Sequence, residues 1–124
     1  MTFHLTDEVY EDNFQKQIAD NVIERHWKGI ARNERAGEYI SHLRKDTFRE
    51  LADINGFISA KILQRNTKEG IEFLVVTVWK DDGAIRQFAG SNIETAVVPE
   101  RVREMMISYD KTVNHYLVNF ETSV

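Results

Sequence analysis

The chain contains no cysteine, which excludes disulfides, thiolate metal sites, iron–sulfur ligation and cysteine nucleophiles at once. Proline occurs once and glycine six times, at points that punctuate the pattern, so no linker divides the sequence. No apolar run approaches the ~20 residues of a membrane span. The first residues, Met1-Thr2-Phe3-His4-Leu5-Thr6-Asp7-Glu8, have neither the basic start nor the apolar stretch of a secretory signal, so a cytoplasmic protein is expected. A large excess of positive charge is missing too. Sixteen Lys and Arg stand against 20 Asp and Glu, a net charge of −4, and no face basic enough for a nucleic-acid backbone is expected. Searches for a P-loop, a G-x-G-x-x-G, a G-x-S-x-G elbow and an H-E-x-x-H helix find none.

What remains is an ordinary globular composition over 124 residues, 42% hydrophobic and 29% charged, enough for one domain with its own core. Residues 1–21 stand apart as an acidic arm in which Tyr10, Phe14 and Ile18 have helical spacing, with Thr6 as a cap. The main domain is expected over residues 22–124. Residues 22–31 alternate as a strand, with Ile23, Trp27 and Ala31 on one side and Val22, His26 and Ile30 on the other. Asn33 offers an N-cap, and Ala36, Ile40, Leu43, Thr47, Leu51 and Ile54 form the stripe of an amphipathic helix that Asn55-Gly56 ends. A hairpin follows, residues 57–65 and 71–80, turning at Asn66-Thr67-Lys68-Glu69-Gly70. Asp81-Asp82-Gly83 caps a short helix closed by Gly90, and their place before that helix makes capping rather than acid–base work the role of the two carboxylates. Pro99 suits a further helix with Val102, Met105 and Met106 inward, before a last strand over about residues 109–120. The order β-α-β-β-α-β predicts an α+β, ferredoxin-like subunit with a four-stranded antiparallel sheet.

Helices cover one face of such a sheet. The run Phe73-Leu74-Val75-Val76-Thr77-Val78-Trp79 nevertheless carries apolar side chains in both directions, so the other face also needs cover. A second copy, sheet against sheet, is the expected partner.

Chemistry-bearing residues are few. His26 and His115 fall on neighbouring strands, with Glu24 beside His26. No third ligand stands at a recognised metal spacing, so hydrogen bonding is expected of them, no metal is expected, and proton transfer is the role open to His115. Trp27, Tyr39, Trp79, Phe88 and Tyr116 form an aromatic set that either lines a cavity for a flat ligand or fills the core.

Taken in order, Trp27-Lys28-Gly29, Tyr39 and Leu43, Gly56-Phe57, Thr77-Val78-Trp79, Phe88-Ala89-Gly90 and Val113-Asn114-His115-Tyr116 resemble the antibiotic biosynthesis monooxygenase family of the dimeric α/β-barrel superfamily, over about residues 22–118. The resemblance implies subunits whose sheets pair into a barrel, a ligand cavity between sheet and helices, and either cofactor-independent oxidation of phenols to quinones or haem degradation. It also implies departures. Phe88 stands where active members carry a tryptophan, and Val98 near the haem-ligand histidine of the haem degraders. No asparagine matches theirs around Glu24-Arg25. The expectation is therefore a monooxygenase-like homodimer that binds a small aromatic or quinone-like molecule and needs no cofactor. Arg25 or His115 would place or deprotonate a phenol. The alternative is a non-catalytic ligand-binding or accessory domain.

Overall fold

The computed structural model describes residues 22–124; the expected N-terminal arm lies outside the described residues. Strands β1 (Ile23–Ala31), β2 (Phe57–Asn66), β3 (Ile71–Trp79), β4 (Met106–Tyr109) and β5 (Asn114–Leu117) form one antiparallel sheet. The order is β2-β3-β1-β4, with β5 also paired to β1. This is the ferredoxin-like arrangement with its last strand broken in two, which makes five strands where four were expected. The break has a plain cause. Gly29 pairs with Tyr109 and His26 with Asn114, so residues 27–28 of β1 face residues 110–113. The surplus bulges away from β1 and bonds the segment before α3 instead: Val113 N–H donates to Glu94 O at 2.8 Å and Ala96 N–H to Lys111 O at 2.9 Å. The bulge turns Val113 inward, where it is buried.

Three helices cover one face. Helix α1 joins Ala36–His42, a π-helical turn Leu43–Thr47 and Phe48–Ala52; α2 is Asp82–Ala89 and α3 is Glu100–Met105. Asn33 does not cap α1. It opens a 3-10 turn, Asn33–Arg35, closed by the backbone bond from Arg35 to Arg32, and no side chain caps either the turn or the helix. Asp81 does cap α2, its Oδ1 accepting from Ala84 N–H at 2.8 Å, and Gly90 ends it at a φ of 84°. Gly70 is required by contact rather than conformation, because a Cβ there would lie 2.2 Å from the Ala31 carbonyl oxygen.

The alternation of β3 sends Phe73, Val75, Thr77 and Trp79 toward the helices and Leu74, Val76 and Val78 the other way. Helix-side residues form two clusters. One contains Tyr39, Leu43, Phe73, Val75, Val102 and Met105; the other contains Leu51, Trp79, Ala84 and Ile85. Phe48 packs against both. The opposite face is less apolar than the β3 run alone suggests. The register sets Glu24, His26 and Lys28 of β1, and Lys61, Leu63 and Arg65 of β2, around its three aliphatic side chains. No described helix is long and apolar enough to cross a membrane.

Candidate active site

A cavity of about 70 Å³ lies between the sheet and α1 where the two clusters meet. Its wall is aromatic and aliphatic: Trp27, Tyr39, Leu43, Phe48, Leu51, Val75, Phe88, Val97, Pro99, Val102 and Val113. Four polar residues complete it, Arg25, His42, Thr47 and Thr77. Pockets that engulf drug-sized ligands hold roughly 300–1,000 Å³, so this space suits a single small ring.

Arg25 is the charged group of the site. It is only 4% exposed, and no carboxylate pairs with it among the described residues. Its Nη1 donates to the Ile93 carbonyl, its Nη2 donates to Thr95 O at 3.0 Å, and its guanidinium carbon lies 5.9 Å from the Phe88 ring centroid. Burial pushes its pKa down to about 10, so the cation persists at neutral pH. Arg25 thus anchors the irregular segment carrying Val97 and Pro99 that closes the cavity, and holds a positive charge against an apolar wall.

His115 backs this arrangement. Register places it opposite Arg25, and its Nε2 lies 2.9 Å from Arg25 Nη1. Because a guanidinium only donates, that nitrogen must be the unprotonated one. Desolvation, then the charge of Arg25, hold the imidazole below the usual histidine range, against a smaller upward pull from Glu94. His115 does not line the cavity.

Tyr39 is 2% exposed, and its ring packs against Phe73 and Trp27 with centroids 5.2 and 6.2 Å away. The residue lines the cavity. Burial drives its pKa well above the ordinary phenol value, so it stays a neutral donor. Trp27 presents its ring to the cavity while its Nε1–H donates to Asp110 O at 2.7 Å.

Of the expected ligand-lining aromatics, Trp27, Tyr39 and Phe88 meet at the cavity. Trp79 lies behind it, fully buried, stacked on Phe88 at 6.1 Å and donating from Nε1 to Thr77 Oγ1 at 2.8 Å. Tyr116 lies on the opposite face, 55% exposed and 4.9 Å from the His26 ring. His26 bonds Glu24 at 2.9 Å, and no group of metal ligands forms among the described residues. Of the polar wall residues, only Arg25 is singled out by the sequence; Thr47 and Thr77 are read there as members of the inward helix stripe and of the β3 run, and His42 is not read at all. The signal was present as a histidine with an aspartate four residues on, His42 and Asp46, along the inward stripe of α1.

Comparison with known proteins follows the same line. The profile of the family described as antibiotic biosynthesis monooxygenase matches residues 30–99. A Bacillus cereus structure, solved as a candidate antibiotic biosynthesis monooxygenase, superposes with a TM-score of 0.59 at 15% identity, covering 84% of this chain and 99% of that one. SnoaB, a cofactor-independent oxygenase from Streptomyces nogalater, gives 0.50 at 17% identity, covering 85% and 97%. A Streptomyces coelicolor monooxygenase, from the gene ActVA-Orf6 and bound to Nanaomycin D, gives 0.53 at 10% identity, covering 86% and 92%. At these identities the likeness is one of fold. No curated protein matches the chain.

Proposed function

The chain belongs to the antibiotic biosynthesis monooxygenase family, and from that premise we propose that it binds a small phenolic or quinone-like molecule beside Arg25 and oxidises it with dioxygen, without a cofactor. One observation carries this reading: a buried guanidinium with no carboxylate partner among the described residues lines a largely apolar cavity. Such a charge has a use for an anionic oxygen, and its field lowers the pKa of a phenol placed against it. Phe88 and Trp27 offer the faces on which an aromatic ring stacks. Tyr39, which also lines the cavity, brings a hydroxyl that can donate a second hydrogen bond.

The chemistry balances without any further reagent. The phenolate passes an electron to dioxygen, and the resulting pair joins at a ring carbon. Loss of water then leaves a quinone: one oxygen atom stays on the ring, and the other leaves with the phenolic and ring hydrogens. Burial keeps bulk water from the reduced oxygen. Arg25 holds the ring oxygen throughout, with His115 as the group that positions it.

Oxygen uptake and quinone absorbance, measured with a panel of single-ring phenols, test the proposal. Uptake matched by quinone is expected, with a loss of about 100-fold in Arg25→Met, the scale of removing one preorganised donor. Binding without oxygen uptake would favour the second reading, a non-catalytic ligand-binding domain. Phe88 supports that second reading, because its ring offers no hydrogen to a ligand where the active relatives' tryptophan would.

We also propose that two copies pair through the sheet faces turned away from the helices. Half-buried Leu74 and Val78 on that face, with Leu63 44% and Tyr116 55% exposed, support the pairing.

A further inference from the structure

The π-helical turn Leu43–Thr47 adds a third polar side chain, Thr47, to His42 and Asp46, which their four-residue spacing already makes neighbours on a helix. Residues five apart lie about 140° apart around an α-helix, too far to touch. The wider π turn swings Thr47 round until its Oγ1 stands 3.3 Å from His42 Nε2, while Asp46 Oδ2 stands 3.1 Å from His42 Nδ1. The Asp46 carboxylate accepts, which puts the imidazole proton on Nδ1 and leaves the Nε2 lone pair on the Thr47 side. His42 and Thr47 both line the Arg25 cavity, whereas Asp46 does not. The His42 side chain is 11% exposed and that of Asp46 is 49% exposed, so the pair runs from the cavity to solvent. Arg101 of α3 reaches the same carboxylate oxygen at 3.5 Å, and Arg25 is the charged group on the sheet side of the cavity.

We propose that His42 is the proton acceptor for a phenol bound in this cavity, positioned by Asp46, and that the Asp46 end returns the proton to solvent. The inference rests on the phenol-binding reading above. The step is a simple transfer: the phenol O–H displaces the long Thr47 contact, its proton moves to Nε2, and the phenolate stays with Arg25. The imidazolium so formed keeps its Nδ1–H donated to the Asp46 carboxylate. The division of labour follows from the geometry. Arg25 cannot take a proton, and the Nε2 of His115 is occupied by Arg25. His42 is therefore the base with an available lone pair among the described cavity residues.

3-Nitrophenol is a suitable probe, since its phenolate absorbs in the visible, its neutral form does not, and it is a weaker acid than an imidazolium. In neutral buffer, where the free phenol keeps its proton and an ordinary imidazole is mostly uncharged, the wild-type protein should bind it with the phenolate band visible. ¹⁵N NMR of the His42 ring should show both nitrogens protonated on binding. His42→Gln, which keeps the cavity filled, should bind the probe as the neutral phenol. Asp46→Asn, a change at an exposed position that leaves the wall intact, should reduce the phenolate band without abolishing binding. An unchanged phenolate band in His42→Gln, or unchanged His42 nitrogens in the wild-type complex, overturns the role of His42 while leaving phenol binding in place. Failure of the wild-type protein to bind the probe overturns the phenol reading itself, and this inference with it.

Discussion

Arg25 and His115 face each other across β1 and β5, with Nη1 and Nε2 2.9 Å apart, so a buried cation is held against the bare nitrogen of a neutral imidazole. The contact fixes the His115 tautomer and prevents that ring from taking up a proton at the cavity side.

The first prediction follows from this pair. His115 should titrate below the ordinary histidine value in the native protein, chiefly through desolvation and secondly through Arg25. Arg25→Met removes the second cause only, so the pKa should rise part of the way back. The unfolded chain then binds more protons than the native one between that lowered value and about 6.5. Stability is fully present above this window and falls as pH drops through it. Histidine NMR titration and denaturation at several pH values check both signs.

Trp79 carries the second prediction. It is fully buried between Phe57, at 5.3 Å, and Phe88, and its Nε1–H is satisfied by Thr77. Trp79→Ala should cost about 3–5 kcal/mol, read by chemical denaturation. A loss under about 1 kcal/mol would mean that the ring does not support the second cluster.

These two residues also show how far the sequence reaches. Trp27 and Trp79 lie on strands whose alternation is read directly from the chain, and the β3 run announced burial on both faces. Tyr116 was not readable in the same way. Its face depends on how many residues the bulge over 110–113 takes from the ladder, and the bulge is held by bonds to residues 94–96, distant in sequence. His42 was hidden for a related reason. An apolar stripe counted in steps of three and four assumes one helical pitch, and the π turn changes that pitch at Leu43. The cavity itself arises where two clusters fail to close, a volume effect that periodicity does not record. Arg25 was legible as a candidate for handling a phenol. Its bonds to the Ile93 and Thr95 carbonyls needed the fold.

Gly70 yields the third prediction. A methyl group there meets the Ala31 carbonyl oxygen at 2.2 Å, backbone that cannot swing aside, and Ile107 Cδ1 at 3.0 Å. Gly70→Ala should destabilise by about 1–3 kcal/mol, with a lower denaturation midpoint and no change in slope. Gly37→Ala, which meets nothing within 4 Å, is the matched control and should be neutral or better.

The proposed pairing of sheet faces gives the fourth. Sedimentation equilibrium should show a species of twice the 14.5 kDa chain mass at micromolar concentration. Leu74→Lys, set among the charges of that face, should shift the population toward single chains without unfolding them. A single 14.5 kDa species in the unmodified protein would contradict the pairing.

The claim that the Arg25 cavity receives a phenol is tested most directly by mapping where one binds. Phenol titrated into ¹⁵N-labelled protein should move the Arg25 side-chain resonance, the Trp27 indole N–H and the backbone amides of Thr47, Thr77 and Phe88. Those residues converge only at the cavity. The open groove on the other face, lined by His26, Lys28, Leu74 and Tyr116, should stay still. Shifts confined to that groove, with Arg25 and Trp27 unmoved at saturation, would contradict the account.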